Sequence, residues 1–238
     1  MTHHTTMTAI IPCRNEARQI QGAIESLQLT HGFESIVVAD GGSTDATCHL
    51  AKEAGAHVVH CQSRGRGLQV REAMATLPPC DVVVILHADA RFPQNGPQAI
   101  ARALAKNRKT PGGAFSMGFR PNSAKSRFIA CLNHLRCHIS GISFGDQCQF
   151  VRWETLEKSG GFPPMMLMED VELSLMMKRL GRPVLLPETV EVSSRTWNKA
   201  SFGGHVFKIL ALFFTYLIRR KMGVPPGDGS WYYRKYYT

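Results

Sequence analysis

The chain has 238 residues, 44% of them hydrophobic, and a formal net charge of +10 at pH 7. This length allows one sizeable core, most simply in a single α/β domain, and the charge favours phosphorylated ligands, an anionic membrane or nucleic acid. The seven cysteines include no Cys-x-x-Cys pair, which argues against a disulfide framework or a zinc ribbon and fits a reducing compartment. The first residues do not resemble a secretory signal, so we expect a cytoplasmic protein.

Short apolar runs alternate with helical patterns through the first 110 residues. Continuous runs of Val, Ile and Leu are typical of strands buried on both faces of a parallel sheet. The predicted strands cover residues 8–13, 36–39, 57–60 and 82–86. Helical spacing of apolar residues follows each strand, as at Ile20, Ile24 and Leu27. These β-α units predict right-handed crossovers and a parallel sheet flanked by helices.

The second half is less regular and predicts a mixed part of the sheet. The predicted elements are a strand at 113–119, a helix at 123–140, an extended stretch at 142–151, a helix at 168–180 and two short strands at 184–186 and 190–192. No linker long enough to separate two domains is present. We therefore expect one α/β domain over residues 1–200, followed at 201–238 by an apolar helix and an aromatic, basic tail.

Acidic residues follow three of the predicted strands. Glu16 follows the first strand, Asp40 and Asp45 lie at and after the second, and Asp89 lies just beyond the strand at 82–86. Ligands of parallel sheets bind outside the carboxyl ends of the strands, so these acids should converge on one crevice. Carboxylates there suit a sugar hydroxyl, a nucleobase and a divalent cation that holds a diphosphate. The pattern indicates a nucleotide-sugar transferase.

Four motifs resemble the family 2 glycosyltransferases, whose GT-A fold is a Rossmann-like, mostly parallel sheet flanked by helices. They are Ile11-Pro12-x-x-Asn15-Glu16, Val37-Val38-x-Asp40-Gly-Gly-Ser-Thr-Asp45, Ala88-Asp89 at a strand end and Glu169-Asp170 at the head of a helix. The resemblance covers about residues 8–200. Finer details, including Leu86-His-Ala-Asp89, resemble a bacterial subset linked to arsenosugar biosynthesis and radical-SAM enzymes.

The resemblance implies donor-binding roles. Pro12, Glu16 and Asp40 match positions that hold the base and ribose of the nucleotide. Asp89 matches the last acid of the Asp-x-Asp signature, which coordinates Mg²⁺ or Mn²⁺ on the donor diphosphate. His87 stands where the broader family has Asp. It is a nitrogen ligand that favours Mn²⁺, a hydrogen-bond partner of the ribose, or a histidine packed under a loop.

The resemblance also implies the residues on the acceptor side. Asp170 matches the general base of an inverting transfer, and Glu169 orients the acceptor or tunes Asp170 through like-charge coupling. Both acids would also stabilise the N-terminus of a helix with no catalytic role. Asp146 and Gln147 match the acceptor-binding segment, for which the alternative is an ordinary turn.

Basic and aromatic residues extend the implied site. Arg64 and Arg66 lie between glycines ahead of a helix, where fixed cations meet a diphosphate; the alternative is a solvated loop. Arg195 and Trp197 follow the last predicted strand. The resemblance places Arg195 over the donor and Trp197 near the acceptor, and the alternative is a surface arginine stacked on tryptophan.

The apolar run at 206–218, followed by Arg219, Arg220 and Lys221, is too short to cross a bilayer. It predicts a buried helix, one half of a homodimer interface, or a helix on the inner membrane face with its bases on anionic headgroups. The sequence does not identify the acceptor, for which a lipid-linked molecule and a small molecule are the two candidates. The tail at 231–237 resembles a single-strand nucleic-acid platform, but such short tails more often fold back, so nucleic acid is disfavoured.

The predicted function is metal-dependent, inverting sugar transfer from a nucleotide-diphosphate donor to an acceptor hydroxyl. A nucleotidyltransferase on a similar sheet would carry a Gly-rich loop with Arg and Lys after the first strand, and residues 12–16 are not such a loop. A non-catalytic nucleotide-binding or scaffold protein is the third candidate. The acids Asp40, Asp89 and Asp170 argue against it.

Overall fold

A computed structural model of the protein describes residues 5–194 and 202–237. Within these ranges the strands form one eight-stranded sheet in the order β3-β2-β1-β4-β7-β6-β8-β5. The strands are β1 Met7–Cys13, β2 Ser35–Asp40, β3 His57–His60, β4 Val82–Ile85, β5 Ala90–Arg91, β6 Gly112–Arg120, β7 Gln149–Arg152 and β8 Val184–Ser193. Strands β3, β2, β1 and β4 are parallel, and β7 is antiparallel to both β4 and β6. The predicted α/β sheet with a mixed second part is confirmed.

Helices cover both faces of the sheet. They are α1 Ile20–Gln28, α2 Thr47–Glu53, α3 Arg66–Met74, α4 Gly96–Lys106, α5 Ala124–Ser140, α6 Trp153–Lys158, α7 Glu169–Leu180, α8 Phe202–Lys221 and α9 Ser230–Tyr237. Because successive side chains of a strand point to opposite faces, Ala9 and Ile11 pack with α1, α2 and α4, whereas Ile10 packs with α3, α6 and α7. The central strands are thus buried on both faces, as their continuous apolar runs predict.

Two boundaries differ from those predicted. The stretches at 184–186 and 190–192 form one strand, β8, whose pairing with β6 shifts register between Phe115 and Ser116. The shift lies opposite Pro187, which has no backbone N–H to donate to the ladder. The stretch predicted as extended at 142–151 contains a 3-10 turn at Gly145–Gln147, and only Gln149–Arg152 forms a strand, because Cys148 has a φ of 46°, which interrupts extended backbone.

The helices α8 and α9 pack against α7 and the segment before it. Leu212, Phe213, Tyr216 and Tyr232 are buried in one apolar cluster that includes Val171. The opposite side of α8 is exposed, with the apolar side chains Phe207, Leu210, Phe214 and Ile218 on it. None of the helices in the described part of the chain combines the length and hydropathy that crossing a membrane requires.

Candidate active site

A cavity of about 460 Å³ opens at the carboxyl ends of β1, β2 and β4. Eight of the residues singled out in the sequence line it: Pro12, Glu16, Arg64, Arg66, His87, Asp89, Asp146 and Asp170. The parallel half of the sheet brings these groups together because its strands all end at the same edge. Of the other candidates, Asp40, Gln147 and Glu169 lie behind the wall, and Arg195 and Trp197 lie outside the described residues.

The loops after β1 and β2 hold each other in place. The Asn15 N–H donates to Ser43 Oγ at 2.9 Å, the Thr44 N–H donates to Asn15 Oδ1 at 2.8 Å, and the Glu16 N–H donates to Thr47 Oγ1 at 2.8 Å. Asn15 has a φ of 57°, a left-handed conformation that Asn tolerates. These bonds give the Asn-Glu and Ser-Thr motifs a structural role that the sequence interpretation missed.

Asp40 is buried at the end of β2 and shapes the turn beside the cavity. Its carboxylate accepts hydrogen bonds from the backbone N–H groups of Gly42 and Ser43 at 3.1–3.2 Å, and His60 Nδ1 lies 3.6 Å from Oδ2. Burial opposes ionisation, but the hydrogen bonds from Ser43 and Gly42 lower the pKa of Asp40 below its usual value. Gly41, directly after it, lines the cavity.

Arg66, at the start of α3, is the cation at the centre of the site. Its Nη1 lies 3.5 Å from His87 Nε2 and 3.8 Å from Glu169 Oε1. Burial would lower the pKa of Arg66, but the charge of Glu169 raises it. Burial and the charge of Arg66 lower the pKa of His87 to about 3. The site therefore has a permanent cation beside a neutral imidazole.

Asp170 lies in the first turn of α7 and is fixed by backbone donors. The Gly145 N–H donates to its Oδ2 at 2.8 Å, and the Val171 N–H donates to its Oδ1 at 2.7 Å. Met168, the residue before the helix, has a φ of 70°, so the chain turns sharply into the helix here. Burial and then the charge of Asp170 raise the pKa of Glu169. Asp170 thus faces the cavity while Glu169 lies beneath it.

The segment Gly145–Gln147 forms a 3-10 turn beside Asp170. Oδ1 of Asp146 is buried without a hydrogen-bond partner, and burial, with the charges of Asp170 and Asp89, raises the pKa of Asp146 to about 6 against the opposing charge of Arg136. Gln147 is fully buried; its Oε1 accepts from Arg136 Nη2 at 2.9 Å. Because Gln147 supports the turn from behind, the structure gives it no direct contact with the cavity.

Aromatic and apolar residues of the C-terminal helices close the opposite side of the cavity. Ile209, Leu212 and Phe213 come from α8, and Tyr233, Tyr236 and Tyr237 come from α9. The backbone anchors α9, since the Met166 N–H donates to the Asp228 carbonyl at 2.7 Å. The sequence interpretation treated this segment as a tail, and the residues it adds to the site were missed.

A sequence model described as glycosyl transferase family 2 matches residues 8–134. This match covers more than half of the chain, and the chain belongs to this family. Among curated relatives, glycosyltransferase AglJ of Haloferax volcanii is 40% identical over 83 residues, 35% of this chain and 27% of AglJ. Protein RfbJ of Shigella flexneri is 30% identical over 107 residues, 45% of this chain and 82% of RfbJ. The matched segment therefore spans well under half of AglJ.

Solved structures with the same fold include two sugar synthases. Mannosyl-3-phosphoglycerate synthase from Rubrobacter xylanophilus has a TM-score of 0.65 and 15% identity, over 93% of this chain and 76% of its own. Glucosyl-3-phosphoglycerate synthase from Mycobacterium tuberculosis, in complex with Mn²⁺ and UDP-glucose, has a TM-score of 0.57 and 21% identity, over 79% and 70%. These likenesses confirm the predicted GT-A fold.

Proposed function

We propose that this protein transfers a sugar from a nucleotide-diphosphate donor to an acceptor hydroxyl. One observation carries the proposal: the cation Arg66 and the carboxylates Asp89 and Asp170 line one cavity at the carboxyl ends of parallel strands, in a chain of glycosyltransferase family 2. The resemblance to the arsenosugar-related subset stays a prediction about its biological setting.

The donor lies on the side of the cavity formed by the loops after β1 and β2. Pro12, Glu16 and Gly41 line this side and suit the base and ribose, with Asp40 holding the turn that carries Gly41. Arg64 and Arg66 meet the diphosphate, because fixed cations near a helix start favour phosphate oxygens. The predicted closure of Arg195 over the donor belongs to a part of the chain outside the described residues.

A divalent cation, Mn²⁺ or Mg²⁺, fits the chemistry of this donor set. Asp89 presents a carboxylate on the cavity wall, the hard oxygen ligand that both ions prefer, and its charge reaches Asp146. When bound, the ion offsets the charge that develops on the departing diphosphate. Such an ion with UDP-glucose is present in the mycobacterial synthase structure. His87 Nε2 faces Arg66, which favours a hydrogen-bonding role over a role as a nitrogen ligand.

Asp170 is the proposed general base. The acceptor oxygen attacks the anomeric carbon from the face opposite the diphosphate, the anomeric C–O bond breaks with its electron pair on the phosphate, and Asp170 takes the acceptor proton. The two backbone donors on Asp170 hold its carboxylate in one orientation, a condition for efficient proton transfer. Glu169 is a positioning residue, held by Arg66 beneath the base. Trp197 stays a predicted acceptor contact.

The test is a thermal-shift panel of UDP, GDP and their sugar conjugates, each with Mn²⁺ and with EDTA. A nucleotide that binds the folded state raises the melting temperature of the protein, and the rise is larger the further the nucleotide concentration exceeds its Kd. We expect one nucleotide sugar to stabilise the protein more strongly with Mn²⁺ and to be turned over. No stabilisation by any nucleotide would favour the scaffold alternative, and pyrophosphate release from a nucleoside triphosphate and a sugar phosphate would favour the nucleotidyltransferase.

We further propose that the exposed side of α8 lies on an anionic membrane surface. Phe207, Phe214 and Ile218 are 75%, 55% and 57% exposed, and Arg219 and Lys221 follow them. An apolar helix side with bases at one end suits the headgroup region of an anionic leaflet. A homodimer through the same side of α8 is the competing outcome of the vesicle experiment described below.

A further inference from the structure

Three side chains that can bind a metal ion meet beside the donor side of the cavity. Asp40 ends β2, His60 ends β3 and Cys48 lies in the first turn of α2. Asp40 and His60 are partners in the parallel pairing of β2 with β3, so their side chains project from the same face of the sheet, the face that α2 covers. One carboxylate oxygen, the Cys48 Sγ and one imidazole nitrogen all lie within 4.8 Å of one another. None of these three residues lines the cavity.

The distance between Asp40 and His60 suits two ligands of one ion better than a hydrogen bond. His60 Nδ1 lies 3.6 Å from Asp40 Oδ2, beyond the usual N–H···O separation of about 2.7–3.2 Å. Zinc bonds of about 2.0–2.3 Å in tetrahedral geometry separate the ligand atoms by about 3.3–3.6 Å. An ion between the two side chains therefore requires only a small movement of either.

The surroundings of Asp40 also suit a metal ligand. Its carboxylate accepts hydrogen bonds from the N–H groups of Gly42 and Ser43, and such outer-shell bonds fix the orientation of a metal-binding carboxylate. A carboxylate has about four acceptor positions, so the two backbone donors leave positions for an ion. Cys48 hydrogen-bonds to the same carboxylate, and its thiol proton would pass to solvent when an ion takes its place. The side chain of His60 is 60% exposed, which gives an ion a path from solvent.

We propose that Asp40, Cys48 and His60 bind a thiophilic divalent ion such as Zn²⁺. One thiolate, one imidazole and one carboxylate are the ligand types of zinc sites, and water completes the four ligands. Mg²⁺ and Mn²⁺ prefer oxygen ligands, so this site differs in chemistry as well as in position from the ion site proposed at Asp89.

Asp40 would link this ion to the donor side of the cavity. Its carboxylate holds the turn that carries Gly41 to the cavity wall. A shift of Oδ2 toward Zn²⁺ lengthens the hydrogen bonds to this turn, so zinc and the nucleotide should each weaken the binding of the other by the same factor. This consequence rests on the proposed function, whereas the zinc site itself does not.

A cobalt titration of the full chain, without nucleotide, tests the site. Co²⁺ replaces Zn²⁺ in such sites and gives a charge-transfer absorption band when a thiolate binds it. We expect a band that saturates at one Co²⁺ per chain and is lost when Zn²⁺ is added. Cys48→Ser should abolish the band, and His60→Ala should weaken Co²⁺ binding by about tenfold or more.

The matched control is Cys131→Ser, because Cys131 is an exposed thiol on another helix, α5. This variant should keep the band. Absence of the band in the wild type, its survival in Cys48→Ser or its loss in Cys131→Ser would overturn the proposal.

Thiol alkylation gives a second measurement that uses the wild-type protein alone. A thiolate that binds a metal ion is no longer free to act as a nucleophile. Zn²⁺ should therefore slow the reaction of Cys48 with iodoacetamide at least about tenfold and leave the rate at Cys131 unchanged, as peptide mass spectrometry can measure. Equal rates at Cys48 with and without Zn²⁺ would overturn the proposal.

Calorimetry tests the link between zinc and the nucleotide. The nucleoside diphosphate selected by the thermal-shift panel is titrated at saturating Mn²⁺, with and without Zn²⁺. Zinc should lower the affinity of the wild type by about fivefold or more and leave that of Cys48→Ser unchanged. An equal loss in both proteins would assign the effect to zinc in the cavity and overturn the link. If no nucleotide binds, the proposed function fails, and the cobalt band still decides the zinc site.

Discussion

Gly145 is the residue that brings His87 and Asp170 together. A Cβ at this position would lie 2.5 Å from His87 Nε2 and 3.6 Å from Asp170 Oδ2, so only glycine allows the backbone so close to the imidazole. Its N–H then reaches the carboxylate of Asp170. The requirement for glycine comes from crowding between parts of the chain that are distant in sequence. The residues next to Gly145 in the sequence indicate only a turn.

Replacement of Asp170 tests the assignment of the base. Asp170→Asn is nearly isosteric, so the donor should still bind while transfer falls by about two to four orders of magnitude. The matched variant Glu169→Gln should cost less, because Glu169 lies beneath the cavity. An α-linked donor should give a β-linked product, as inversion requires. Near wild-type turnover in Asp170→Asn, or retention of configuration, would contradict the assignment.

Calorimetry of nucleoside diphosphate binding separates the roles of two other acids. Asp89→Asn should abolish the increase in affinity that Mn²⁺ produces, because the carboxylate is the expected ligand of the ion. Asp40→Ala should weaken binding without metal, since the turn that carries Gly41 loses its hydrogen-bond acceptor. Metal-stimulated affinity that persists in Asp89→Asn would remove Asp89 from the ion site.

The pKa of Asp146 predicts how stability depends on pH. A carboxyl whose pKa is about 6 when folded, against 3.8 when unfolded, contributes stability below pH 4 that is lost as the pH rises through 6. Asp146→Asn should therefore raise the free energy of unfolding at pH 7 by on the order of 1–3 kcal/mol and change it little at pH 4. His87 has a lowered pKa and the opposite pH dependence, but it is present in both proteins and cancels in the difference. Equal shifts in melting temperature at both pH values would contradict this account.

At the scale of elements, the sequence predicts the strands better than the cavity walls. The run of β1 is continuous and apolar because helices cover both faces of the strand. Such a run can be predicted to be a buried strand without knowing which helices pack on it. The eight-residue helix α9 is too short to be stable alone. It depends on packing such as that of Gly229, where a Cβ would lie 2.4 Å from the Leu167 carbonyl oxygen. The burial of Gln147 likewise depends on Arg136 from α5. The sequence around Gln147 predicts a turn, but it does not predict this contact.

A vesicle experiment tests whether the exposed side of α8 lies on an anionic membrane surface. Arg219→Gln with Lys221→Gln should reduce co-sedimentation with anionic vesicles at low salt, since each base near the surface contributes about 1 kcal/mol. Arg220 is left unchanged because its Nη2 donates to Glu172 Oε1 at 2.8 Å, and its loss would cost on the order of 3 kcal/mol of stability. Phe207→Ser with Phe214→Ser should abolish the remaining binding. If the wild-type protein stays in the supernatant of the vesicle assay and is a dimer by analytical ultracentrifugation, the exposed side of α8 is instead an interface between two copies.

At the scale of the whole molecule, the C-terminal helices complete both the core and the cavity. Tyr216 donates a hydrogen bond to Glu172 Oε2 at 2.6 Å, and Leu212 and Phe213 are buried with it against α7. Each large apolar side chain contributes about 1.5–3 kcal/mol when fully buried. Their sum approaches the total stability of an ordinary domain, about 5–15 kcal/mol. The predicted boundary at residue 200 therefore marks a change in composition, and we expect no independent fold on its N-terminal side.

Two truncations test this expectation. Removal of residues 201–238 should leave Glu172 without its partners from α8 and expose the apolar surface of α7, so the product should aggregate or lose its cooperative thermal transition. Removal of residues 222–238 takes away α9 with the turn before it and should leave a folded protein with a lower melting temperature and weaker substrate binding, because the tyrosines that α9 contributes to the cavity are lost. Its circular dichroism should show a sheet signal unchanged from that of the full chain. A fully stable fragment 1–200 that still binds the nucleotide would show that the C-terminal helices are a separable unit, and faster transfer after loss of α9 would show that this helix obstructs the cavity.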